Sequence, residues 1–416
     1  MNSLSQNMHS TYDADIPLPQ RIAAAIELIN HPIRDTVYPF ADLDVQQINT
    51  LFETWDSVGD PLAENLIAEL RKHKRMTKNL FQAARALEAE GNQAAVLFFK
   101  DVETVPEWFD FEETKASAEM SGRNILGFIF GLHSALPYTA VDGNIPSVFF
   151  ATGRMNKKGD FVRRIWETAA GFIGVIDIEG MKPGGKQWEM WVRIRLMHSM
   201  VRLGLGVSNK WVGVRKGVPI SVTGAIAGVY VMGRLRSKVM RAFGYVTKEE
   251  LNSSIRIWQW VGKILGVPQE FFLQDFQQIK RLDQLGFNFF YSPTQLSQDF
   301  ANEVYAGLED VTKGFIPKSV NAAIGRYSLS PQCVLSPKNG HVANDLKIPK
   351  NIVLDLAITS LATVSRTASQ INRVPFVGRI NAHIGQKVLN KALEIGLNGL
   401  HAEFSTKMNN GSTCPV

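Results

Sequence analysis

Cysteine is nearly missing from this chain: its 416 residues include two, Cys333 and Cys414. That excludes a disulfide framework and any zinc or iron–sulfur centre built from thiolates. Neither cysteine lies in a Cys-x-x-Cys-His run, so any haem would be held without covalent attachment. The phosphate loop Gly-x-x-x-x-Gly-Lys-Ser/Thr is absent, as are His-Glu-x-x-His and Gly-x-Ser-x-Gly, which removes the commonest nucleotide and hydrolase readings. Gly204-x-Gly206 follows a helical run rather than a strand, a poor setting for a dinucleotide. Strong charge imbalance is missing too. A net charge of +6 is too dilute at this length for a dedicated nucleic-acid binder. Basic residues nevertheless gather at 154–158, 163–164, 193–202 and 234–241, which suits an anionic cofactor, substrate or lipid headgroup. Long apolar runs are scarce. The longest charge-free stretches, Asn124–Val141 and Gly217–Gly233, are interrupted by His133 and Pro137 and by Pro219, Ser221 and Thr223. Both read as buried segments rather than membrane spans. The opening MNSLSQNMHSTYDAD lacks the basic-then-apolar order of a secretory signal, so the expected compartment is the cytoplasm, with peripheral membrane contact left open.

What is present is helical periodicity over a composition 45% apolar and 20% charged. Helices are expected at Arg21–Asn30, Leu43–Trp55, Pro61–Lys74, Leu80–Glu90 and Phe111–Leu136, the last stopped before Pro137. Gly159–Ile176 and Trp188–Leu205 follow, joined through Gly180–Gly185 as an antiparallel pair. Thr247-Lys248-Glu249-Glu250 is a capping box opening a helix to Leu265. Further helices are expected at 269–284, 293–310, 318–325, 350–371 and 382–403. Phe149–Ala151 and Val175–Ile178 are the only hints of strand. No repeat or low-complexity linker divides the chain. The expectation is an all-α fold: one large helical domain over 17–405, with tails at 1–16 and 406–416. Leu354–Thr363 is apolar enough to cover a pocket, to touch a membrane or to complete the core, and the last is expected.

The densest chemistry lies at 193–202. Arg195, His198 and Arg202 fall at i, i+3 and i+7, toward one helix face. An imidazole between two cations tends to stay neutral and able to bind a metal, while the arginines suit carboxylates. Haem offers an iron that takes an axial base and propionates that take guanidinium. The competing reading is a partly buried helix with one histidine and a solvated basic edge. On the preceding helix Arg164 and Thr168 stand four residues apart, positioned to orient a bound oxygen ligand, or else form an ordinary surface pair. Glu167 lies between them, and pairing with a nearby cation is its plain reading. His133, on an apolar helix, is expected to be a satisfied core histidine.

Taken in order, Arg163-Arg164-Ile165-Trp166-Glu167-Thr168 followed by Arg193-Ile194-Arg195-Leu196-Met197-His198 resembles the haem-b oxygenase family typified by latex-clearing protein (rubber oxygenase) and the fungal mycophenolic-acid-pathway oxygenase. Pro219-Ile220-Ser221-Val222-Thr223 looks like a degenerate form of that family's Asn-Gln-x-Asp segment. Ile257-Trp258-Gln259-Trp260-Val261-Gly262-Lys263-Ile264-Leu265-Gly266-Val267 is similar to its Trp-Arg-x-x-Gly-x-Leu-Leu-Gly-Val. The likeness covers roughly residues 110–330. It implies a globin-like core holding non-covalent haem b, with His198 as proximal iron ligand. It also implies Arg164 and Thr168 on the distal side, and Arg195, Arg202 and Arg326 supporting haem or its propionates. The implied activity is dioxygen-dependent cleavage of a carbon–carbon double bond in an apolar isoprenoid. Two departures matter. Val148 stands in the neighbourhood of a glutamate implicated as a base in rubber-cleaving members, with Asp142 and Asp160 the nearest acids. Glu167 stands where some members carry a lysine, and an acid there could act as a local base. A smaller unsaturated lipid or terpenoid is therefore expected rather than rubber. Hydroxylation or peroxide chemistry on the same scaffold, and a non-catalytic helical haem- or lipid-binding protein, are the competing expectations.

Overall fold

Asp60 opens the first well-capped helix, its carboxylate accepting from the Ala63 N–H at 3.2 Å with Pro61 at the first helical position. The computed structural model describes residues 45–397 except 154–157, 209–210, 216, 231–232, 234–235, 269–270, 274–275 and 336–340. The expected helix Arg21–Asn30 and both expected tails lie outside the described residues. In chain order the helices are α1 (Val45–Asp56), α2 (Pro61–Lys72), α3 (Leu80–Ala89), α4 (Gln93–Glu103), α5 (Phe111–Arg123) and α6 (Ile125–Thr139). Next come α7 (Asn144–Ala151), α8 (Lys158–Gly174), α9 (Lys186–Gly206), α10 (Val222–Tyr230), α11 (Arg236–Phe243) and α12 (Lys248–Ile264). The chain continues through α13 (Phe276–Phe290), α14 (Gln295–Val311), α15 (Lys318–Ser328), α16 (Val342–Asp345), α17 (Ile352–Ala368) and α18 (Pro375–Gly396), with a 3₁₀ turn at Ser369–Arg373 before the last.

The architecture is all-α, as expected: among the described residues there is no strand, only an isolated bridge between Asp142 and Ser292. Phe149–Ala151 is the last turn of α7, and Val175–Ile178 belongs to the turns after α8. The capping box at Thr247 is formed, with Glu250 N–H to Thr247 Oγ1 at 3.3 Å and Thr247 N–H to Glu250 Oε2 at 2.8 Å. Two expectations are corrected. The single helix Phe111–Leu136 is two helices, because the Asn124 side chain donates to Met120 O at 3.0 Å and to Tyr245 O at 3.1 Å, taking over backbone roles at a break. The second of them runs through Pro137 to Thr139, and closes with Ala140 N–H on Pro137 O at 3.1 Å. The helix expected from 269 begins at Phe276, well past the left-handed Gly266 (φ +84°) that follows α12.

One contiguous set of buried apolar side chains runs from Phe52 to Leu389. The α9 helix runs through it, packed on α2, α3, α8 and α12, with Trp188 fully buried and its indole N–H on Val102 O at 3.0 Å. At the periphery, α18 docks on α5 through a pair of glycines. A Cβ on Gly122 would meet the Ala382 carbonyl, and one on Gly385 would meet the Gly122 carbonyl, so backbone touches backbone there. The expectation that Leu354–Thr363 completes the core is overturned. On α17 only Ile358 and Ala362 are buried, and the rest of its apolar residues face outward or lie at the edge.

Candidate functional site

The two arginines flanking His198 face α2, not a pocket. Arg195, fully inside the protein, donates to Asp60 through Nε (2.5 Å) and Nη2 (2.9 Å), to Asp101 Oδ2 at 2.6 Å and to Ile264 O at 3.2 Å. Burial works against the charge, but the two carboxylates win and hold this guanidinium above its ordinary range. Lys263 completes the group, its Nζ on Asp101 Oδ1 at 3.1 Å, so two cations neutralise two acids. Arg202 is equally committed: Glu64 Oε1 at 2.6 Å, Ile220 O at 2.6 Å and Pro219 O at 3.1 Å. The assignment of Arg195 and Arg202 to haem propionates is therefore corrected. Their donors are spent on the chain's own carboxylates and carbonyls, and what they do is clamp α9 onto α2.

That clamp decides where His198 points. At roughly 100° per residue, Arg195, Ser199 and Arg202 cluster within about 60° on the α2 side. His198 stands about 65° off the centre of that cluster, among Gln187, Met190, Trp191, Ile194 and Val201. His198 therefore stands at the edge of the face that Arg195 and Arg202 share, about 40° from Arg202. The His198 stripe faces α8, because a Cβ at Gly171 would lie 3.3 Å from the Trp191 ring, and one at Gly174 would lie 3.0 Å from Gln187 Cδ. The partners run in opposite order, so α8 and α9 are antiparallel, as expected from the turn between them.

The same counting on α8 puts Arg164, Glu167, Gly171 and Gly174 within about 80° of one another, with Thr168 at the edge. From the Gly171–Trp191 contact, seven residues back on α8 reaches Arg164 and seven forward on α9 reaches His198, each about 10 Å along its axis. Arg164 and His198 thus stand level on facing stripes. The seam is tight at one end and open at the other: 170–176 are all buried, whereas 162–169 are half-exposed on every side of α8. His198 and Met197 are half-exposed as well. Over that stretch α8 also packs on α14 and α18, and its inward face is no better covered than its outward one. Glu167, 12% exposed, accepts from Arg163 Nε at 3.0 Å, the plain pairing its spacing implied.

The run 257–267 acts as support for α9. A Cβ at Gly262 would meet Val229 of α10 at 2.6 Å, and one at Gly266 would meet Arg195 Nη2 at 2.8 Å, so both glycines admit a close neighbour. Trp258 meets Trp191 edge-to-face at 5.8 Å. In the segment 219–223, Ile220 takes φ +52°, an outlier for a β-branched residue, and its carbonyl is the one Arg202 holds with both Nε and Nη2.

Sequence reasoning missed the acids that make this scaffold: Asp60, Glu64 and Asp101. One signal was available, since Asp60 and Glu64 lie one turn apart at a helix start, where acids are favoured anyway. Arg215 was missed too. It grips Asp142 with both Nη atoms (2.8 and 2.9 Å) and Asp56 with Nε at 3.2 Å, beside the Phe289 and Phe290 rings. Asp142 is therefore a paired, buried carboxylate, while the side chain of Asp160 lies outside the described residues. Arg326 is corrected: it donates to Ile348 O at 3.0 Å and lies 3.4 Å from Asp355, tying α15 to the start of α17. His133 is a satisfied core histidine, with Nδ1 at 2.9 Å from Ile129 O and Nε2 at 3.0 Å from Asn321 Oδ1. Burial lowers its proton affinity. A mostly apolar cleft opens between α1, α10 and α13, lined by Phe52, Ile145, Ile226, Leu282, Phe287 and Phe290 with Asp142 and Asp283 at its wall.

Glu64 gives the scaffold a pH dependence. Burial pushes its carboxyl up to about 6, against the pull of Arg202 and the Asp60 N–H. The folded state thus holds this proton more tightly than the unfolded chain, whose value is 4.5. The group favours folding most below pH 4.5, and that contribution is lost as pH rises through about 6. Wild-type stability relative to Glu64→Gln should fall by on the order of 1–2 kcal/mol across that window. Urea unfolding at several pH values reads this directly, and a flat difference would contradict it.

No family model matches the chain, and no curated protein matches it in sequence. Among solved structures the chain is similar to one described as latex clearing protein LCP in the closed state, at 17% identity and a TM-score of 0.57. The match covers 82% of this chain and 91% of that one, and it is a likeness of fold.

Proposed function

We propose that this chain is a haem-b-dependent oxygenase, working in the cytoplasm, that cleaves a carbon–carbon double bond of an unsaturated isoprenoid or lipid with dioxygen. What supports the reading is the half-exposed end of the α8–α9 seam, where helical periodicity sets His198 and Arg164 level on facing stripes. The donor set there fits a haem. Among the described residues no three His, Cys, Asp or Glu side chains gather as a bare-metal site. A lone histidine suits an iron that brings its other ligands in a macrocycle. The all-α fold shared with latex clearing protein supports the same reading.

Bound there, the haem iron would supply dioxygen activation. The chain's own residues do the rest. His198 would hold the iron through its imidazole, on a helix fixed by the Arg195 and Arg202 clamps. Across the seam Arg164 would supply guanidinium donors and Thr168 a hydroxyl that stabilise developing charge on oxygen. Glu167, held by Arg163, would be an acceptor for a proton on that side. Met197 and Val201, beside His198 on α9, supply apolar wall that limits water.

Turnover under oxygen-18 gas tests the reaction: cleavage puts one labelled oxygen into each of two carbonyl fragments, trapped as they form. Label in a single hydroxyl product would assign hydroxylation instead. Arg164→Ala should lower kcat by about 10²-fold with haem content unchanged. Full activity in that variant would remove Arg164 from the site.

A further inference from the structure

The solvent faces of α17 and α18 have a chemistry poorly suited to water. On α17, Ile358 and Ala362 turn inward against α11 and α15, and Ser365 Oγ donates to Phe243 O at 2.7 Å. The opposite side presents Ile352, Val353, Leu356, Ser360, Thr363 and Val364. Ile352, Val353, Leu356 and Val364 are 64%, 75%, 63% and 65% exposed. No charge falls on that face. Asp355 and Arg366 both lie at its protein-facing edges, and Asp355 is 3.4 Å from Arg326.

The α18 helix adds a second pattern. Its inner row is Gly378, Ala382, Gly385 and Leu389. Outside, Phe376, Ile380, Ile384 and Val388 recur at four-residue spacing, with Phe376 73% exposed. A parallel row of Arg379, His383, Lys387 and Lys391 runs beside them. The turn between the helices contributes exposed Ile371, Arg373 and Val374. From Lys350 to Leu397 there are six lysines and arginines against two acids. Both acids already have partners, Asp355 in Arg326 and Glu394 in Lys391 at 2.9 Å.

An apolar row edged by cations is the pattern of a helix lying in a lipid interface. We propose that the α17–α18 pair is a docking surface for an anionic phospholipid bilayer. The apolar rows enter the boundary between headgroups and acyl chains, and Arg379, Lys387 and Lys391 meet the phosphates. The segment Ile352–Arg373 is long and apolar enough to cross a membrane by composition. Its inner stripe is committed to α11 and α15, so it lies on the membrane rather than through it. A second copy is a poorer occupant, because a two-fold contact would bring these cations together with no spare acid to offset them. Lipid binding here needs no cofactor at the seam.

The test is co-sedimentation of the full chain with vesicles of phosphatidylcholine alone or mixed with phosphatidylserine, with light scattering for oligomeric state. The protein should partition onto the mixed vesicles, less so as salt rises. Lys387→Gln and Lys391→Gln should each weaken that partition about fivefold. The double variant Phe376→Ser/Ile384→Ser should weaken it by more than about tenfold while keeping the wild-type helical spectrum. Failure of the wild type to sediment, or equal sedimentation of all variants, would overturn the proposal. So would a dimer that Phe376→Ser/Ile384→Ser dissociates, since that assigns the face to a second copy.

Discussion

Arg195→Met should unfold the protein more easily by about 3–5 kcal/mol, a large share of a typical folding free energy of roughly 5–15 kcal/mol. The methionine fills much of the volume, but Asp60 is left buried and ionised with only the Ala63 N–H for company. Asp101 keeps Lys263, so most of the loss falls on Asp60. Adding Asp60→Asn should recover part of it, because the amide oxygen can still cap α2 while the uncompensated charge is gone. Urea unfolding of the haem-free protein gives the answer. Loss below about 1 kcal/mol would mean the guanidinium is not locked to both acids. If Arg195 instead served a propionate, haem-free stability would stay unchanged and haem retention would drop. The measurement separates a clamp from a cofactor ligand.

That distinction was hidden in the sequence for a physical reason. Arg195 finds its acids 135 and 94 residues away, and Arg202 finds Glu64 at 138. Helical periodicity reports which residues share a face, but not what that face meets. Local features were legible: the Thr247 capping box, the α8–α9 turn and the Arg163–Glu167 pair are all set within a few residues. The break at Asn124 was not, because its side chain answers to Tyr245 O, 121 residues on. The apolar residues of α17 read equally well as core or as surface, since composition carries no record of which neighbours arrive. At the candidate site, the identities of His198, Arg164 and Thr168 could be picked from the chain. Their facing geometry could not, although Gly171 and Gly174 mark where two helices touch.

His198→Ala should leave the protein folded and strip it of haem. The side chain is half-exposed at the seam and outside the Arg195–Asp60–Asp101 group, so its removal leaves that clamp in place. If the seam holds haem as proposed, the consequence is large, because a non-covalent macrocycle depends on its protein ligand for retention and for its spectrum. Wild type expressed with a haem precursor should show a stoichiometric Soret band, and the variant a shifted or vanishing one, with added imidazole restoring it in part. Arg202→Met makes the contrasting control. It should weaken the fold through Glu64, yet any haem it retains should keep the wild-type spectrum, since the clamp does not touch the iron. A full, unshifted Soret band in His198→Ala would place the ligand elsewhere. A colourless, well-folded wild type would sink the haem reading altogether while leaving the lipid-facing surface of α17 and α18 to be judged on vesicles alone.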